Sequence, residues 1–111
     1  MKDYYNLFVE LSLQQCTQND YSDKKKVKAH NAASKKLREL QEEMKGCDIA
    51  ATLEMLLSHE DERVRVNAAA LCLEMKVLFE KAVLTLKNVI NSSGDPTILF
   101  SAKMILQNIS R

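Results

Sequence analysis

Only three residues of this chain can stop a helix outright, Gly46, Gly94 and Pro96. A sandwich or barrel needs turn residues every ~8–12 positions, and a phosphate-binding loop needs clustered glycines. Both are excluded over most of the 111 residues. Leu, Ala and Met number 30 against 16 for Val, Ile and Thr, a balance that favours helices over strands. The expected class is therefore all-α, with one core and a single domain spanning 1–111.

Apolar residues spaced three and four apart mark the helices. Tyr4, Leu7, Phe8 and Leu11 make the stripe of a first helix over 3–15, which fades into a polar turn at 17–20. Ala33, Leu37, Leu40 and Met44 define a second over 22–45, with Gly46 placed to cap its end. Asp48 can start a short third helix carrying Ile49, Leu53, Leu56 and Leu57. Ser58-His59-Glu60-Asp61 reads as a capping box for a fourth helix beginning near Glu60, with the Ser58 hydroxyl as the cap. Its stripe, Val64, Ala68, Leu71 and Met75, continues through Leu78, Ala82, Thr85 and Val89. Periodicity leaves open whether residues 60–91 form one helix or two. Residues 91–94 are a stop, and Asp95-Pro96 opens a last helix with Leu99, Ala102, Leu106 and Ile109 inward.

The helices repeat. His30-Asn31-Ala32-Ala33-Ser34-Lys35-Lys36-Leu37 aligns with Val66-Asn67-Ala68-Ala69-Ala70-Leu71-Cys72-Leu73, and a weaker third copy surrounds Ala102. A spacing of this size suits helix hairpins that hide their apolar faces by stacking on one another. The stretch Leu56-Leu57-Ser58-His59-Glu60-Asp61-Glu62-Arg63-Val64-Arg65-Val66-Asn67-Ala68-Ala69-Ala70-Leu71 resembles the signature of a HEAT repeat. In that signature leucines end one helix, an acidic turn follows, and Val-Arg plus an Ala pair open the next. Arg65 is spaced to pair with Asp61 or with a neighbouring repeat, and the alanines allow close helix approach.

The likeness extends over nearly the whole chain to a bacterial family of small HEAT-like domains of unknown function. It implies about six helices in antiparallel pairs, a HEAT/ARM-like α-solenoid, with a compact helical bundle as the alternative. It also implies a break near residues 76–79. Family members often carry a proline there, whereas this chain has Val77, Leu78 and Phe79.

Most chemistry is excluded by what is missing. His30 and His59 lie in separate helical units, with no metal-ligand spacing and no nucleophile motif, so neither an enzyme nor a metal or cofactor site is expected. A packed or groove-edge role suits His30 better than phosphotransfer, since the small glycine usual near a phosphorylated histidine is missing. His59 reads as a solvated loop residue, and Asn31 and Asn67 as structural amides. Cys16, Cys47 and Cys72 have neither the pairing nor the spacing of a disulfide framework or zinc site. Lys24-Lys25-Lys26-Val27-Lys28 is basic, but only Tyr21 adjoins it as a stacking platform and the net charge is +1, so nucleic acid is not the expected partner. No apolar run reaches the ~20 residues of a membrane span and the start lacks a signal pattern, so a cytoplasmic protein, monomeric when free, is expected.

What remains is a protein-binding module. Small HEAT-like proteins resemble one class of immunity proteins that block the secreted toxins of contact-dependent and polymorphic systems, many of them nucleases with basic clefts. That resemblance implies a toxin domain as partner. Glu42, Glu43, Glu60, Asp61, Glu62 and Glu74 would supply the complementary charge, with Tyr4 and Tyr5 as aromatic anchors. The alternative is a non-catalytic adaptor or scaffold in a bacterial regulatory complex.

Overall fold

Helices form where the apolar stripes predict them, and the chain is all-helical with no strand among the described residues. The computed structural model describes residues 3–15, 24–46 and 49–109, with side chains for 3–14, 32–46 and 49–109. The sequence expectations for Cys16, Tyr21, the lysine run 24–28, His30, Asn31, Cys47 and Asp48 lie outside the described side chains. In chain order the helices are α1 (Tyr4–Gln15), α2 (Lys24–Lys45), α3 (Ala50–Leu57), α4 (Glu62–Met75), α5 (Phe79–Ser92) and α6 (Pro96–Ile109). They fall into two compact units, Met1–Ile49 and Ala50–Arg111.

In the first unit α1 packs on α2. Asp3 caps α1, its carboxylate accepting the Asn6 N–H at 3.1 Å and also bonding the Asn6 side chain. Phe8 and the unpredicted Ser12 are fully buried on α1, as are Ala33, Leu37, Leu40 and Met44 along α2. The helix α2 ends without a left-handed glycine. Gly46 donates to the Glu43 carbonyl at 3.2 Å, and neither glycine has a positive φ.

The second unit is built on α4, which touches α3, α5 and α6; α3 also touches α5. Helices adjacent in sequence and helices two apart are thus both in contact, an arrangement that fits a compact helical bundle. Burial around α4 extends beyond the expected stripe. Val66, Ala69 and Cys72 are buried along with Val64, Ala68 and Leu71, so two flanks of the helix are covered. Ala68, Ala69, Ala82 and Ala102 have no exposure, as close helix approach at these positions requires. Ile49, Leu53, Leu56 and Leu57 are all buried, while on α6 the buried positions are Ile98 and Ala102 and the predicted Leu99 is half-exposed.

Three local devices set the helix boundaries. The cap of α4 is Asp61, not Ser58. Its Oδ1 accepts the Arg63 N–H at 2.8 Å and the Val64 N–H at 3.3 Å, so α4 starts at Glu62 rather than Glu60. A carboxylate at the positive helix end outcompetes a hydroxyl three residues earlier, and Ser58 is left exposed after α3. At the start of α6, Asp95 Oδ1 accepts the Thr97 N–H at 2.9 Å directly before and after Pro96 at the first helical position.

The junction between α4 and α5 answers the question that periodicity leaves open: there are two helices. Lys76 sits at φ 60° in the left-handed region, Val77 N–H donates to the Cys72 carbonyl at 2.9 Å, and Lys76 N–H to the Leu73 carbonyl at 3.3 Å. These two bonds are a Schellman closure. Leu78, at φ 50°, then precedes α5 with no side-chain cap. Two non-glycine residues in left-handed conformation replace the glycine or proline that such a corner ordinarily uses, at a cost of ~1–2 kcal/mol each.

Candidate binding surfaces

The predicted partner-binding residues divide between the two units. In the first unit, Tyr4 and Tyr5 lie half-buried in the first turn of α1, and Glu42 and Glu43 are exposed in the last turn of α2. Leu7 and Leu11 of α1 with Lys36, Glu39, Leu40 and Glu43 of α2 line a groove of about 190 Å³. Its floor is leucine and its rim carries two carboxylates and one ammonium. Tyr4 shares a helix face with Leu7 by its i, i+3 spacing. Glu42 is paired with Lys45 at 2.8 Å.

In the second unit the acidic turn is largely committed to structure. Asp61 spends its carboxylate on the α4 cap, and Glu62 Oε2 accepts the Ser93 hydroxyl at 2.7 Å, tying the start of α4 to the end of α5. Glu60 keeps an exposed side chain. Glu74 is exposed at the other end of α4, twelve residues or about 18 Å from Glu62 along the axis, so it does not join the turn in one patch. Glu54, on α3, pairs with Lys81 at 2.6 Å.

The same turn corrects the expectations for His59 and Arg65. His59 is half-buried rather than solvated, and its Nδ1 accepts the Asp61 N–H at 3.0 Å. Arg65 does not pair with the Asp61 carboxylate. Its Nη1 donates to the main-chain carbonyls of His59 at 3.0 Å and Glu60 at 3.3 Å, because Asp61 is turned toward the helix N–H groups. Arg65 then lines a recess of about 340 Å³ with Leu57, Ser58, Thr85, Asn88 and Ser92. This recess is invisible in the sequence, where the only hint is an arginine whose i−4 acid is also the best helix cap.

Apolar side chains also reach the surface of this unit. Phe100 and Met104, one turn apart on α6, are 66% and 42% exposed, and Met55, Phe79 and Leu84 are exposed on α3 and α5. Cys72 is buried on α4, and removal from water pushes its thiol up from 9.0 to about 11, which keeps it protonated and unreactive at neutral pH. Among the described residues no three of His, Cys, Asp and Glu converge as metal ligands, and no helix is long and apolar enough to cross a membrane.

One family, described as a domain of unknown function (DUF2019), matches residues 2–110. No curated protein and no solved structure matches the chain.

Proposed function

The chain belongs to the DUF2019 family, and from its helix order and the HEAT-like stretch 56–71 we propose that it is a HEAT-like protein-binding module. The observation that carries this reading is the packing of the second unit, in which α3 touches α5 and α4 touches α6 as well as their sequence neighbours. HEAT-like stacks of hairpins, which these contacts would suit, are used mainly to present surfaces to other macromolecules. Each unit carries exposed carboxylates, Glu42 and Glu43 in the first and Glu60 and Glu74 in the second, and the first also offers the half-buried Tyr4 and Tyr5 as aromatic area.

The partner we propose is a secreted toxin domain with a basic cleft, and the chain acts as its immunity protein. Acidic side chains steer association with such a cleft and occupy it in place of its substrate. This step rests on fold analogy and on charge complementarity. Co-expression tests it. Cells producing a toxin domain encoded beside this chain should survive when the chain is present and die when it is absent. A stable complex without protection would instead assign the chain as an adaptor.

A further inference from the structure

The recess lined by Arg65 has an unusual balance of hydrogen-bonding groups. Arg65 is half-buried, is the one charged residue in the lining, and has no carboxylate partner among the described residues. Two main-chain carbonyls hold its Nη1, which fixes the guanidinium plane and leaves Nε and Nη2 uncommitted. The Ser58 hydroxyl and the Asn88 carboxamide are likewise without an intramolecular partner among the described residues. Thr85 and Ser92 differ. Their hydroxyls donate at 2.7 Å to the carbonyls of Lys81 and Asn88, so toward the recess their oxygens can only accept.

We propose that this recess binds a carboxylate that carries an N–H group close by, the chemistry of an acylated amino acid or of a peptide's C terminus. A singly charged planar carboxylate matches one pre-oriented guanidinium, whereas a phosphate dianion would retain a net charge. Asn88 Nδ2 and Ser58 Oγ supply the remaining donors. The lone pairs of Thr85 and Ser92 take the neighbouring N–H, and Leu57 provides the apolar wall. A volume of about 340 Å³ holds a ligand of this size. The inference is independent of the toxin reading, since it concerns Arg65 and the α5 face rather than the acidic side chains.

The test is a titration of the isotope-labelled full chain, followed by NMR at constant ionic strength, with N-acetylglycine, acetate, N-acetylglycinamide and inorganic phosphate. N-acetylglycine should give saturable shifts at the Asn88 side-chain amide and the Arg65 Nε–H, and bind more tightly than acetate. N-acetylglycinamide, which lacks the carboxylate, should give none. Arg65→Lys keeps the charge but loses the fork and should weaken binding about tenfold; Asn88→Ala, at an exposed position, should weaken it about fivefold with an unchanged folded spectrum. A short peptide with a free C terminus that binds more tightly than N-acetylglycine identifies a peptide terminus as the source, and equal binding identifies a free acid. Equal shifts from the amide, tighter binding of phosphate, or wild-type affinity in Asn88→Ala would each overturn the proposal.

Discussion

Replacing Lys76 by glycine should make the protein more stable, although it deletes a long side chain and adds a flexible residue. Lys76 lies at φ 60°, where a Cβ crowds the following carbonyl, at a cost of ~1–2 kcal/mol. Glycine removes that cost but adds ~0.5–1 kcal/mol of unfolded-state entropy. The Lys76 side chain is exposed, so its loss forfeits little burial, and both Schellman hydrogen bonds use main-chain atoms that any residue supplies. The net gain is about 0.5–1 kcal/mol, or roughly 2–6 °C in Tm for a domain of this size. Lys76→Ala is the control, since it removes the same charge and stem while keeping the Cβ. Thermal denaturation followed by far-ultraviolet circular dichroism should order the variants with glycine above both wild type and alanine. Leu78, at φ 50°, should show the opposite sign. Its side chain is half-buried, and Leu78→Gly loses more packing than the backbone gains. If Lys76→Gly melts no higher than Lys76→Ala, the left-handed corner is not where this account places it.

Three further expectations concern the second unit. Asp61→Ala should lower stability by about 1 kcal/mol through loss of the α4 cap, while Ser58→Ala should leave it within a few tenths, a contrast that denaturant melts resolve. Ala68→Leu, at a position with no exposure, should cost about 1–3 kcal/mol by overpacking, measured in the same way. The Cys72 thiol should resist a thiol reagent at pH 8 in the native state of a Cys16→Ser/Cys47→Ser background and react fully once unfolded. Because its folded pKa is raised, to about 11 from 9.0, the stability it supports is complete below pH 9 and falls as pH rises through about 11; melts across that window in Cys72 and Cys72→Ala chains measure the difference.

Much of the helical layout is legible in the sequence because each signal has a single physical meaning. Ile49, Leu53, Leu56 and Leu57 are all buried as their spacing requires, and Asp95-Pro96 can only open a helix. The break near 76–79 is implied by the family resemblance and is present, but the residues themselves carry no turn signal, so the left-handed conformations of Lys76 and Leu78 are not legible in the sequence. The second buried flank of α4 is hidden for a different reason. Val66, Ala69 and Cys72 are small apolar residues among polar ones, and their burial depends on how many helices surround α4. For the surfaces, sequence reading finds the acidic turn but cannot apportion its carboxylates. Asp61 and Glu62 turn out to be structural, Glu60 stays exposed, and the competition for Asp61 frees Arg65 to line the recess.

The functional account stands on the chain being a partner-binding module whose acidic points guide association. Stopped-flow measurement of its binding to the proposed partner, a toxin domain encoded beside it, in wild-type form and as Glu42→Lys/Glu43→Lys/Glu60→Lys, tests this most directly, because these exposed side chains can be reversed without touching the α4 cap. The account predicts a one-to-one complex whose association slows at least tenfold on charge reversal and slows with added salt in the wild type. No complex, or a complex whose association rate is the same in both forms and at every salt concentration, would contradict it.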